Sequence, residues 1–108
     1  MINKITKIPV IKLSKEQLNK SLLEIPEWIY FNNTISRDFK FLNFELTCGF
    51  LNQILMRSHL LGHHPTITTT YNRVNILLQT HDILQVSDID IKFAKKINEY
   101  NKIYNKIN

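Results

Sequence analysis

Between Leu13 and Pro26 the apolar residues Leu18, Leu22 and Ile25 recur at three- and four-residue steps, the spacing of one helix face. Ser14 stands where its hydroxyl can accept the backbone N–H near Gln17, and Pro26 stops the helix. Trp28 to Phe31 then reads as a strand, Asn32-Asn33 as a tight turn that tolerates positive φ, and Thr34 to Phe41 as the returning strand. In that strand Ile35, Phe39 and Phe41 alternate with Ser36, Asp38 and Lys40, so one face is core and the other wet. From Asn43 to Leu61 helical spacing returns, with Phe44, Cys48, Leu51, Leu55 and Ser58 on one stripe and Phe50, Ile54 and Leu61 widening it. So broad an apolar surface predicts either a helix sunk deep in the core or one whose surplus face meets a second subunit.

Gly62 follows as a left-handed cap, and Pro65 pushes His64 out of the helical region, so the helix breaks there. Thr66 to Tyr71 and Val74 to Thr80 form a second hairpin with Asn72-Arg73 at its bend. Neighbouring residues of a strand face opposite sides, so His63 and His64 share one pocket only if the chain turns between helix and strand. His81 ends the outgoing strand and is expected beside His64. The last helix begins at Ser87, where Ser87-x-x-Asp90 has the form of a capping box, and Ile89, Phe93, Ile97, Tyr100 and Tyr104 trace its apolar stripe. The sum is an α+β fold: a four-stranded antiparallel sheet with three helices packed on one face, in the order α-β-β-α-β-β-α.

With 108 residues, 44% of them hydrophobic, there is material for one core, so residues 1–108 are expected to form a single domain with a short basic leader at 1–12. A domain of this size gains from burying more surface against a second copy, which favours a homodimer or homotetramer. Cys48 is the single cysteine, so no internal disulfide forms, and a reducing compartment such as the cytoplasm or nucleus suits it. No apolar run is long enough to span a bilayer. The net charge of +5 is scattered, with Lys95-Lys96 the only adjacent basic pair, which argues against direct nucleic-acid binding and leaves a mildly anion-attracting surface.

Three of the four histidines fall in His63-His64-Pro65 and Thr80-His81-Asp82, with Tyr71 between and Asp90 beyond. Imidazole exchanges protons near neutral pH without special tuning, so the grouping points to proton-transfer chemistry. Written as His59-x3-His63-His64-Pro65-x5-Tyr71-x9-His81-x8-Asp90, the spacing resembles the signature of the pterin-4a-carbinolamine dehydratases, and the likeness extends from about Leu13 to Ile97.

That resemblance implies loss of water from a 4a-hydroxytetrahydropterin with no metal and no cofactor. It implies His64 and His81 as the acid and base, in either order, and His63 as a binding and orienting group. Gly62, His63, His64, Gln79, Thr80, His81 and Asp82 would surround the pterin, with Asp90, Pro65 and His59 in support. For Asp90 a purely structural role at the start of a helix competes evenly. Departures from the family pattern are His59 in place of glutamate, Pro65-Thr66-Ile67 in place of Pro-Glu-Trp, and Ile83-Leu84-Gln85 where relatives carry glycine, which predicts a differently shaped rim. Two other readings stand beside dehydration: a metal site built on His59 and His63, four apart on one helix face, and an interaction protein, since animal members of the family also bind a transcription factor through their helices.

Overall fold

Ser14 caps the first helix in both directions: its hydroxyl accepts the Gln17 backbone N–H and its own N–H reaches the Gln17 side chain. The computed structural model describes residues 10–105 and runs α1 (Lys15–Leu22), β1 (Ile29–Phe31), β2 (Thr34–Lys40), α2 (Phe44–Leu61), β3 (Thr66–Thr70), β4 (Arg73–Leu78) and α3 (Asp88–Asn105). The strands form one antiparallel sheet in the order β1-β2-β4-β3, and the three helices cover one of its faces. This is the α+β order expected from the hydrophobic pattern. Residues 1–9 of the expected basic leader lie outside the described residues. The end of that stretch is engaged, because Ile11 exchanges backbone and side-chain bonds with Asp88, and Lys12 bridges to Ser87.

Both hairpins turn through two residues. Asn32 and Asn33 hold φ of 54° and 63°, as the asparagine pair predicts. The second bend differs from its expected place. Thr70 pairs with Arg73, so the turn is Tyr71-Asn72 rather than Asn72-Arg73. Asn72 is claimed by Phe41, whose carbonyl accepts its side-chain amide and whose N–H donates to its carbonyl, and Tyr71 takes the left-handed conformation (φ 51°) with its ring stacked on Phe44.

The helix α2 is also rotated from the expected stripe. Thr47, Phe50, Ile54 and Ser58 are the buried residues, while Phe44 and Leu55 are exposed and Cys48 and Leu51 half-buried. A helix apolar on most sides has no unique phase in its sequence. Here the sheet sets it, since Phe50 lies with its ring centroid 4.9 Å from Phe39 and 4.7 Å from Phe41. Full burial of Phe50 contributes about 1.5–3 kcal/mol relative to leaving it exposed. Against α2 runs α3, whose Ile89, Phe93, Ile97 and Tyr100 are buried as expected, and at the crossing a Cβ on Gly49 would overlap the ring of Tyr104. The helix layer is tied to the sheet by Asn98, whose side-chain oxygen accepts from Trp28 Nε1 at 2.8 Å and Arg37 Nη1 at 2.7 Å.

Candidate functional site

Helix α2 ends on Gly62 in the left-handed conformation (φ 63°, ψ 32°). The Gly62 N–H returns to the His59 carbonyl and the His63 N–H to that of Ser58, so these two end carbonyls are satisfied. The Ser58 hydroxyl also donates to the His63 carbonyl at 2.9 Å. His63 is thereby held by both of its backbone groups before β3 begins.

Burial separates the two histidines. His63 is buried, 6% exposed, with its ring against Phe93, whereas His64 is exposed. The β3–β4 ladder ends at Thr66↔Leu77, so neither histidine lies in a strand, and Thr80 bridges to Gln85. Thr80 is buried as His63 is, and His81 is exposed as His64 is. The doubled histidine therefore presents one imidazole mostly buried and one exposed.

His63 Nε2 lies 2.5 Å from Oδ1 of Asp90, a fully buried carboxylate in the first turn of α3. The other oxygen, Oδ2, accepts the Thr80 hydroxyl at 2.8 Å and the Ser87 N–H at 2.9 Å. A carboxylate taken from water without partners would cost several kcal/mol, and here both oxygens meet polar partners. The capping box at Ser87 is half-formed. Asp90 reaches back to the Ser87 N–H, but the Ser87 hydroxyl turns to Thr80 Oγ1 at 2.5 Å.

Among the expected site residues, His63, Thr80 and Asp90 are joined by hydrogen bonds, and Pro65 is half-buried beside them in the chain. The Gln79 amide donates to the Asn33 carbonyl, linking the site strand to the first hairpin turn. His59 is exposed on the last turn of α2, apart in burial from His63. Among the described residues no three histidine, cysteine or acidic side chains gather in a metal-ligating arrangement. His81 and Asp82 open a turn closed by Thr80 and Gln85, in which Leu84 takes φ 51°, the conformation that glycine adopts freely. Ser87 and Ser58 were not expected in the site. A serine at a core position of α2 is the one sequence signal for Ser58, and Ser87 carried only a capping signal. Among the described residues no helix is long and apolar enough to cross a membrane.

Comparison with known proteins bears on this arrangement. A family model described as pterin 4 alpha carbinolamine dehydratase matches residues 11–100. A Saccharomyces cerevisiae protein provisionally named pterin-4-alpha-carbinolamine dehydratase is 40% identical over 114 residues, covering 93% of this chain and 95% of the relative. One from Metallosphaera sedula, named in the same provisional way, is 35% identical over 92 residues, covering 85% and 96%. A crystal structure from Brucella melitensis, titled transcriptional coactivator/pterin dehydratase, superposes with a TM-score of 0.80 at 34% identity over 83% of this chain and 98% of that one. A pterin dehydratase-like RuBisCO assembly factor of the alpha-carboxysome shares the fold at a TM-score of 0.59 and 21% identity, over 68% and 86%.

Proposed function

The chain belongs to the pterin-4a-carbinolamine dehydratase family, and on that premise we propose that it is a hydro-lyase converting a 4a-hydroxytetrahydropterin to the quinonoid dihydropterin, a step in pterin recycling. In this reaction the C4a–O bond breaks and the hydroxyl leaves as water after taking a proton. N5 gives up a proton and the C4a–N5 double bond forms. No electron changes hands, so a positioned acid and base suffice and neither metal nor organic cofactor is needed.

His64 and His81 serve as the acid and base and His63 orients the pterin. The observation that carries this reading is the His63–Asp90 pair. Nε2 is committed to a buried carboxylate, which holds the ring in one orientation, and exposed histidines follow at His64 and, next to Thr80, at His81. Gly62, Gln79 and Asp82 border the pterin. Thr80 supports the site from behind, its hydroxyl being turned inward to Asp90.

The test is the rate of quinonoid dihydropterin formation from substrate generated in situ. His64→Ala and His81→Ala should each lower the rate about a hundredfold or more. Both side chains are exposed, so stability should stay within about 0.5 kcal/mol of wild type. A wild-type rate equal to the spontaneous one refutes the proposal.

A second reading, an interaction protein on the same fold, draws on the exposed Leu55, Met56 and Leu60 along α2 and on the coactivator title of the Brucella structure. The same exposed face is where a homodimer or homotetramer would form, which light scattering measures. Loss of partner binding or of assembly in Leu55→Ser with dehydration retained would assign α2 to that role.

A further inference from the structure

The position of each proton behind His63 follows from counting donors and acceptors. Thr80 has one hydroxyl hydrogen and gives it to Asp90 Oδ2 at 2.8 Å. The contact of 2.5 Å between Thr80 Oγ1 and Ser87 Oγ needs one hydrogen, and Thr80 has none left, so Ser87 donates. Ser87 Oγ stands 3.5 Å from Oδ2, too far to compete for its own proton. The chain therefore runs one way: Ser87 hydroxyl to Thr80 hydroxyl to Asp90 Oδ2. The Ser87 N–H supplies a second donor to that oxygen.

With Asp90 ionised, Oδ1 can only accept, and the group facing it is His63 Nε2. The imidazole hydrogen consequently sits on Nε2. Among the described residues no buried side-chain nitrogen or oxygen lacks a partner, and Nε2 makes the only hydrogen bond of this ring, so Nδ1 is the nitrogen that still reaches solvent. A neutral Nε2–H imidazole offers Nδ1 as an acceptor.

We infer that Thr80 and Ser87 are positioning residues: their hydroxyl chain fixes Asp90 as an acceptor, and so holds His63 in the Nε2–H tautomer with Nδ1 offered to an N–H or O–H donor of the substrate. The inference rests on the dehydratase reading only for what the tautomer is used for. Ser87 is itself held from outside the site, by the bridge to Lys12 and the bonds between Ile11 and Asp88. Three segments remote in sequence therefore converge on one proton. Such chains of hydrogen bonds reinforce one another in a low-dielectric interior.

The experiment is imidazole ¹⁵N NMR of the full chain, joined to dehydration kinetics, on wild type, Thr80→Ser, Thr80→Val and Ser87→Ala. Wild type should show His63 as Nε2–H. Thr80→Ser keeps the hydroxyl and should keep both the tautomer and most of the rate. Thr80→Val and Ser87→Ala should give a mixture of tautomers and lower kcat about tenfold or more, the scale on which losing the partner behind an oriented imidazole acts. A wild-type His63 found as Nδ1–H overturns the inference, even if Thr80→Val fails to fold. So does a tautomer unmoved in Ser87→Ala and Thr80→Val. Wild-type protein that shows the tautomer and its dependence on Thr80 but no dehydration would support the relay and sink the dehydratase reading.

Discussion

Replacing Asp90 by asparagine preserves the shape of the side chain at the centre of the site and removes one acceptor. The amide has two ways to sit. With its oxygen at the Oδ2 position it keeps the Thr80 hydroxyl and the Ser87 N–H and points an NH2 group at His63 Nε2. Turned over, it sets NH2 against the Ser87 N–H, leaving a buried donor unsatisfied at a cost of about 1–3 kcal/mol. The first arrangement wins, because His63 can answer it by moving its hydrogen to Nδ1. That ring then offers substrate a donor where the wild-type ring offers an acceptor.

Each of the three hydrogen bonds to the carboxylate falls from charge-assisted to neutral strength, a loss of about 1 kcal/mol apiece, partly offset because a neutral amide is cheaper to bury. Asp90→Asn should therefore lower stability by about 2 kcal/mol, or Tm by about 10 °C for a domain of this length. The rate effect should be larger than the stability effect suggests. A wrong tautomer behind a working imidazole costs up to about 10⁴ in the serine-protease case, and we expect about a hundredfold or more here. Thermal melts, imidazole ¹⁵N shifts and dehydration rates on the same preparation check the three parts. Asp90→Asn with wild-type rate and a His63 still protonated at Nε2 refutes the reasoning.

Other perturbations test the fold around the site. Leu84 is exposed and holds φ 51°, so Leu84→Gly relieves a left-handed conformation without uncovering core and should raise the unfolding free energy by about 0.5–1 kcal/mol, read as a higher urea midpoint; a lower midpoint shows that the loop does not need that conformation. Gly49→Ala should destabilise wild type, since overlap with the Tyr104 ring outweighs the gain of about 1 kcal/mol in helix propensity, and should stabilise a Tyr104→Ala background by that gain. The same sign in both backgrounds counts against the close crossing of α2 and α3. Lys95 donates to Glu24 and holds its carboxyl below the ordinary value of 4.5, with the Lys95 and Lys20 charges adding to the effect and desolvation opposing it. A depressed folded pKa gives stability present above the ordinary carboxylate range and lost as pH falls through the folded value. Glu24→Gln should remove that small acid-limb contribution, and high salt should shrink it in wild type, as two acid titrations at different ionic strengths would show.

Much of this protein is local in origin and so legible in its sequence. The Ser14 cap, the Asn32-Asn33 turn, the Gly62 stop and the period of α3 follow from side-chain chemistry and spacing over a few residues, and the element order follows from them. The registered histidines, with Tyr71 and Asp90, pointed to the family that the comparisons show. The rest depended on contacts between distant segments. The phase of α2 was undetermined because its apolar residues surround the helix, and the rings of Phe39 and Phe41 selected Phe50. The second bend moved because Asn72 is bound by Phe41, thirty-one residues away in the chain. The separation of His63 from His64 needed the chain direction beyond Gly62, and the role of Asp90 needed α3 laid beside the end of β4. Ser87 carried a capping signal and was given other work, because its hydroxyl found Thr80 closer than its own helix. Propensity and pattern act over one or two turns of chain, whereas the proton on His63 is decided by groups that only the packed sheet and helices bring within hydrogen-bond distance.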